Sequence, residues 1–170
     1  MRLGQKSSEV NLIKSIMLSN TPARPHIEEI WGRLESGEKA HLRWYDLIYK
    51  RVHANLFVPV AVGCELREWG EKEDWQSGCK FCVVGRRQFK RYLTPAEIMG
   101  FVKLALTKAQ LAPSFWRKKK KNIVISFSSA GEPLLHYDAV RKTIEILKQI
   151  FEERVYFSIL TVGIPDGIRQ

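Results

Sequence analysis

Three apolar, β-rich runs, separated by helix-length segments, constrain the fold of this chain more than any other feature. The runs cover residues 55–62, 123–127 and 155–162, and a glycine follows each of them within four residues. Apolar residues at helical spacing follow Thr94-Pro95 and recur from Val140 to Ile150. Strands that alternate with helices usually pair in parallel through crossover connections. The chain is therefore predicted to be α/β, with about three strand–helix units over residues 55–170.

A different pattern precedes these runs. Apolar residues at spacings of three and four predict two helices, over residues 26–36 and 40–52. The residues with this spacing are Ile27, Ile30, Trp31 and Leu34, and then Leu42, Tyr45, Ile48 and Tyr49. Residues 1–54 are thus predicted to be an N-terminal helical extension, and residues 55–170 a separate α/β domain.

The composition of the chain indicates the cellular compartment in which it is expected to occur. No run of eighteen apolar residues occurs, so no membrane association is expected, and the first ten residues lack the apolar stretch of a secretory signal. Three cysteines are an odd number, which fits a disulfide framework poorly. A reducing, cytoplasmic location is expected.

Positive charge is concentrated in one segment. The net charge is +10, and residues 79–121 hold twelve Lys and Arg against one acid, Glu97. Such a segment indicates an anionic partner, with nucleic acid as the first candidate. The residues singled out for this role directly follow the last cysteine: Arg86, Arg87, Lys90 and Arg91.

The three cysteines stand ahead of a Gly-Glu-Pro turn. Cys79 and Cys82 form a close pair, Cys64 lies upstream, and Gly131-Glu132-Pro133 follows the second strand-like run. Together these residues indicate an iron–sulfur cluster with one iron left without a protein ligand. A zinc site or simple buried thiols are the alternatives. Zinc prefers four ligands, and the four histidines are scattered along the chain.

These motifs resemble those of the radical S-adenosylmethionine (SAM) superfamily. In that family three and two residues usually separate the cysteines, whereas here residues 65–78 form a longer insertion between the first two. The resemblance implies a [4Fe-4S] cluster on Cys64, Cys79 and Cys82. It also implies that Gly131 and Glu132 bind SAM, with the Glu132 carboxylate beside the methionine ammonium group.

A narrower resemblance is to the ribosomal-RNA adenine carbon-2 methyltransferases and their antibiotic-resistance relatives. Three blocks carry it in the family's order, within residues 85–100, 131–140 and 161–169. It implies the front half of a (β/α)6 barrel that cleaves SAM to a radical and begins methyl transfer to ribosomal or transfer RNA. An electron donor such as flavodoxin or ferredoxin is also implied.

The chain departs from that subfamily in three ways. Leu160 stands where the subfamily has a SAM-contacting serine, and no fourth cysteine remains to relay a methyl group. The catalytic residues therefore stay unassigned. Three of six barrel units are present, so the chain is expected to need a C-terminal half or a second copy, and to be inactive alone. The alternatives are a radical SAM enzyme acting on a peptide or small metabolite, and a non-catalytic, metal-containing RNA-binding module.

Overall fold

The computed structural model describes residues 10–17, 26–46, 52–66, 79, 82, 87–108, 122–151 and 155–164. Six strands come first along this part of the chain, and helices alternate with strands from Pro95 onwards, as the sequence predicts for its second half. The strands are β1 (Val10–Met17), β2 (His26–Leu34), β3 (Lys39–Asp46), β4 (Val52–Val58), β5 (Ala61–Val62), β6 (Arg91–Tyr92), β7 (Asn122–Phe127) and β8 (Val155–Ile159). The helices are α1 (Pro95–Lys108), a 3₁₀ helix (Pro133–His136) and α2 (Tyr137–Phe151).

Six of the described strands form one mixed sheet in the order β1-β2-β3-β4-β7-β8. β4 pairs in parallel with β7, and β7 pairs in parallel with β8. Helix α1 follows β4 along the chain, and α2 lies between β7 and β8. This arrangement confirms the α/β prediction, because each parallel pair is joined through a crossover that contains a helix.

The predicted N-terminal helical extension is wrong. Residues 10–17, 26–34 and 39–46 form an antiparallel meander, β1 to β3, that continues the sheet beyond β4. Over residues 29–34 of β2 the buried positions are Ile30, Gly32 and Leu34, which alternate as on a strand. A turn at Ser36-Gly37 joins β2 to β3, and Gly37 N–H donates to the Leu34 carbonyl (2.9 Å). The turn residues and the alternation with a period of two therefore indicate a strand hairpin, although the apolar spacing of three and four also fits a helix.

Both long helices pack on the same apolar core. α1 begins with the predicted capping box: Thr94 N–H donates to Glu97 Oε2 (2.8 Å), and Glu97 N–H donates to Thr94 Oγ1 (3.2 Å). The side chains buried completely or nearly so come from both helices and from β2, β3, β4 and β7, and they include Ile30, Leu42, Leu56, Phe101, Phe127 and Leu147. The core therefore lies between the sheet and one helical layer.

β8 occupies one edge of the sheet and leaves apolar side chains exposed. Tyr156, Ile159, Leu160 and Val162 are each more than a third exposed. In the described part of the chain β8 pairs with β7 alone, so its other edge has no strand partner. No helix that the structure describes is long and apolar enough to cross a membrane.

Candidate functional site

The segments that follow β4 and β7 are tied together at the carboxyl ends of these parallel strands. Val60 N–H donates to the Ala130 carbonyl (2.8 Å), and Ser128 N–H donates to the Val58 carbonyl (3.2 Å). β5, just beyond, pairs with β6 and leads directly to Cys64. Ligands of α/β proteins bind at this end of the sheet, so these bonds bring the cysteine loop and the Gly-Glu-Pro turn to the expected place.

The basic segment after the cysteines lies against the first cysteine. Cys64 N–H donates to the Arg87 carbonyl (3.4 Å), and Lys90 N–H donates to the Val62 carbonyl (2.9 Å). Between these bonds Gly63 adopts φ +83°, and a Cβ on it would lie 2.0 Å from the Gln88 carbonyl oxygen. Only glycine permits this approach, because the backbone of the basic segment fills the space that a side chain needs.

All three cysteines line one cavity of about 640 Å³, here called the cofactor cavity. Cys64 is buried, Cys79 and Cys82 are half-buried, and all are free thiols. Cys82 N–H donates to the Cys79 carbonyl (2.9 Å), and this bond holds the two cysteines close together. Burial, together with the charges of Glu65, Cys82 and Cys79, raises the pKa of Cys64 to about 11. The insertion did not prevent Cys64 from joining the other two.

A metal cluster and a single metal ion place different demands on a set of thiol ligands. In the described ranges, no group of three His, Cys, Asp or Glu side chains could hold one metal ion. In a cluster, each thiolate binds a different iron, so the thiols need to surround a cavity instead of meeting at a point. The three cysteines on the wall of the cofactor cavity meet that requirement, and its volume lies within the range of ordinary cofactor sites.

Gly131 and Glu132 line the same cavity. Gly131 has φ +83°, and a Cβ on it would lie 2.6 Å from Ala61 Cβ, so the turn packs closely on the β4 side. Glu132 is 2% exposed. Its Oε1 accepts from Leu134 N–H (3.1 Å) and its Oε2 from Val162 N–H (3.0 Å). The carboxylate thus fastens the turn after β7 to the turn after β8, and each oxygen keeps a lone pair for a ligand.

Glu65 supports Glu132 from the cysteine loop. Glu65 is buried, and its Oε1 accepts from Glu132 N–H (3.0 Å). Its Oε2 has no hydrogen-bond partner among the described residues. Burial raises the pKa of Glu65, and the nearby Glu132 carboxylate raises it further. The loop that bears Cys64 and the turn that bears Glu132 therefore form one connected unit.

Sequence reasoning missed the residues that β3 contributes to the cofactor cavity. His41 and Arg43, two apart on β3, both line it. His41 is buried and stacks on Trp31 with ring centroids 4.9 Å apart. Burial, together with the charges of Arg87 and Arg43, lowers the pKa of His41 to about 4, so its imidazole is neutral at physiological pH. The alternation of residues along β3 could have shown that His41 and Arg43 lie on the same face. The apolar residues spaced three and four apart predicted a helix instead.

The turn after β8 also reaches the cavity. Leu160, Thr161 and Val162 line it, and Leu160 stands where the subfamily resemblance expects a serine. Thr161 Oγ1 accepts from Gly163 N–H (2.9 Å), so this hydroxyl shapes its own turn. Across the cavity wall, Ser128 Oγ is buried and has no hydrogen-bond partner within the described residues. Ser128 Oγ is therefore a buried hydroxyl whose hydrogen-bonding capacity the described residues leave unused.

The four residues predicted to contact RNA have different environments. Arg86 lies outside the described residues. The Arg87 guanidinium lies over the Trp31 ring, 4.6 Å from its centroid, and the Lys90 side chain is exposed. Arg91 instead donates to Glu38 (2.6 Å) and to both Glu97 oxygens (2.7 and 2.9 Å). These bonds give Arg91 a structural role, and an RNA contact at this residue stays a prediction.

Arg91 joins the β2–β3 turn to the start of α1, and its loss is expected to destabilise the fold. Arg91→Met leaves the buried Glu97 without its cationic partner, which should lower the free energy of unfolding by about 2–3 kcal/mol. Arg141→Met is the matched control, because the Arg141–Glu145 pair is exposed and should cost less than ~0.5 kcal/mol. Urea unfolding followed by circular dichroism measures both, and equal small losses would contradict the assignment.

The effect of Arg91 should also depend on pH. Burial acts to raise the pKa of Glu97, but hydrogen bonds from Arg91 and Thr94 outweigh it and leave that pKa below the ordinary 4.5. A carboxyl whose folded pKa is depressed stabilises the fold above its unfolded pKa, and the contribution is lost as the pH falls through the folded value. The difference between wild type and Arg91→Met should therefore narrow in acid.

Comparison with known proteins gives relatives that share most of this chain. An RNA methyltransferase described as probable dual-specificity RlmN, from Heliobacterium modesticaldum, is 34% identical over 155 residues, which is 86% of this chain and 35% of the relative. A similarly described protein from Synechococcus elongatus is 40% identical over 93 residues, 54% of this chain and 23% of its own length. No protein-family model matches. The resemblance to RNA methyltransferases found in the sequence is confirmed.

A solved structure shares the fold. A radical SAM methyltransferase from Sphaerobacter thermophilus superposes with a TM-score of 0.65 at 19% identity, over 92% of this chain and 40% of its own. This likeness confirms the predicted radical SAM type of α/β fold. The chain spans about a third of the length of the Heliobacterium relative that it matches.

Proposed function

We propose a radical SAM function for this chain, in the methylation of RNA. One observation carries the proposal: the three cysteines and the Gly131-Glu132 turn line a single cavity at the carboxyl ends of the parallel strands. The relatives named as RNA methyltransferases supply the reaction class and the substrate class.

In this proposal Cys64, Cys79 and Cys82 hold a [4Fe-4S] cluster, and the Gly131-Glu132 turn holds SAM. When bound, the cluster supplies the electron that cleaves the carbon–sulfur bond of SAM. Gly131 lets the turn pack closely on Ala61, and the Glu132 carboxylate attracts the ammonium group of SAM. Because Glu132 is fixed by Leu134 N–H and Val162 N–H, its carboxylate is already oriented before SAM arrives.

RNA would reach this cavity along the basic segment. Arg86, Arg87 and Lys90 follow the last cysteine, and phosphate contacts of this kind position a nucleic acid without reading its sequence. The cluster would be reduced by a donor such as flavodoxin or ferredoxin. We place the enzyme in the cytoplasm, where the three thiols stay reduced.

The reaction class is tested with anaerobically reconstituted protein. Reduction with dithionite in the presence of SAM should yield 5′-deoxyadenosine, and SAM should alter the electron paramagnetic resonance spectrum of the reduced cluster. Zinc in place of iron, with RNA binding but no SAM cleavage, would favour a non-catalytic RNA-binding module. SAM cleavage by protein that does not bind RNA would favour a peptide or metabolite substrate.

Glu132→Gln should weaken SAM binding and leave the iron content unchanged. Losing one charge-assisted hydrogen bond costs about 1.5–3 kcal/mol, which corresponds to a tenfold or larger increase in the dissociation constant. The new amide also places a donor against Leu134 N–H or Val162 N–H, so the melting temperature should fall. Equilibrium dialysis with labelled SAM and an iron assay measure the two properties.

Glu145→Gln is the control for Glu132→Gln. Glu145 lies exposed on α2, away from the cofactor cavity, so its neutralisation should change neither SAM binding nor iron content. Loss of iron from the Glu132 variant would contradict a role in binding the SAM ammonium group, because it would make the carboxylate part of the cluster site.

A further inference from the structure

A second cavity, here called the basic cavity, lies beside the cofactor cavity. It has a volume of about 450 Å³ and lies between the start of β3 and the segment of residues 87–90. Three cationic side chains line it, from Lys39, Arg87 and Lys90. Its volume suits a group the size of a nucleotide.

The charge of the basic cavity is not compensated within the described ranges. Its one acidic lining residue, Glu38, accepts from Arg91 (2.6 Å) and from Ser36 Oγ (3.0 Å). None of the ion pairs found in the described residues involves Lys39, Arg87 or Lys90. Three cations around a cavity whose one carboxylate is already occupied attract an anion.

The basic cavity is held in a fixed relation to the cofactor cavity. His41 and Ala130 line both. Backbone bonds from Cys64 and Lys90 hold the segment of residues 87–90 against β5, and Arg87 rests on Trp31. An anion bound here would therefore lie directly beside the cofactor cavity, and the β2–β3 hairpin would form one of its walls.

We propose that the basic cavity binds a backbone phosphate of the RNA strand, next to the nucleotide that enters the cofactor cavity. The inference rests on the proposed function for the class of polymer, and on Lys39, Arg87 and Lys90 for the site. Phosphate contacts set the register of a nucleic acid, so a phosphate held here would position the strand relative to the cofactor cavity. The antiparallel hairpin thereby becomes part of the substrate-binding surface.

The test replaces Lys39, Arg87 and Lys90 together with Gln in the full chain. A matched control replaces Lys103, Lys142 and Lys148, which are described residues of α1 and α2, and removes the same charge. Binding of a fluorescein-labelled RNA hairpin is followed by fluorescence polarisation over a series of KCl concentrations. The basic-cavity variant should lose about tenfold or more in affinity, and the magnitude of the slope of log affinity against log salt should fall by about one, as expected for the loss of one phosphate contact.

The control variant should keep most of the wild-type salt slope. Equal losses in both variants would overturn the proposal, because net charge alone would then explain binding. Displacement by polyglutamate as effective as that by unlabelled RNA would also overturn it, in favour of a general anion site. SAM binding, measured in the same proteins, separates the proposed function from the inference about the basic cavity. If wild type does not bind SAM, the proposed function is refuted. If SAM binds but the basic-cavity variant keeps the wild-type salt slope, only the inference about the basic cavity is refuted.

Discussion

Cys64→Ala is expected to abolish the [4Fe-4S] cluster. Anaerobically reconstituted wild type should be brown and hold about four iron per chain, and the variant should hold far less. Cys64 shares the wall of the cofactor cavity with Cys79 and Cys82, so its loss leaves two thiolates where three are needed. Iron content, visible absorbance and the SAM-dependent resonance spectrum measure the effect. Cys79→Ala and Cys82→Ala should behave in the same way.

Ser128→Ala is the control for the cysteine variants. Ser128 lines the same cavity, and its Oγ has no hydrogen-bond partner among the described residues, so removing it disturbs the wall without removing a thiolate. This variant should keep its iron. A Cys64→Ala protein that still carried a full cluster responsive to SAM would show that another residue is the first ligand, and that Cys64 is a buried structural thiol.

Gly63→Ala is expected to disrupt the loop that joins the first cysteine to the basic segment. The new Cβ would lie 2.0 Å from the Gln88 carbonyl oxygen and 2.9 Å from Phe89 Cα. Because these are backbone atoms, no side-chain rotation relieves the contact. The strained backbone conformation adds to the cost, and we expect a total of about 2–4 kcal/mol of folding stability. The displaced loop should also reconstitute poorly with iron.

Gly37→Ala isolates the contribution of backbone strain. Gly37 has φ +85°, close to the +83° of Gly63, but a Cβ there would meet nothing within 4 Å. Its replacement should cost about 1 kcal/mol and leave iron binding intact. Urea unfolding and the iron content of both variants give the comparison. Similar losses at the two positions would show that the close approach of residues 87–90 to Gly63 is unimportant.

The chemistry-bearing residues could be found from the sequence because they lie in short, local motifs. Two residues separate Cys79 from Cys82, and Gly131-Glu132-Pro133 is contiguous, so neither pattern depends on the rest of the fold. The capping box at Thr94 and Glu97 is equally local, and the structure contains it. The roles of these residues in binding the cluster and SAM stay proposals. The structure adds that the cysteines, Gly131 and Glu132 line the same cavity.

The β2–β3 hairpin shows why the rest could not be found in the same way. Residues 26–46 carry apolar residues that satisfy a helical period of 3.6 and a strand period of two, and local spacing favoured the helix. Pairing with β1 and β4 decided for strands, because it satisfies the backbone hydrogen bonds of the whole segment within one sheet. Because the segment was predicted to be helical, His41 and Arg43, which line the cofactor cavity from strand β3, were not identified from the sequence.

The sequence by itself determined the strand–helix alternation of residues 55–162, the three thiols and the glutamate turn, because each depends on residues close together in the chain. Tertiary structure alone decided how they combine. It brought Cys64 to Cys79 and Cys82 across the insertion, engaged Arg91 with Glu38 and Glu97, and placed Lys39 beside Arg87. These contacts join residues far apart in the sequence, and their geometry follows from sheet pairing and packing, which no local pattern encodes.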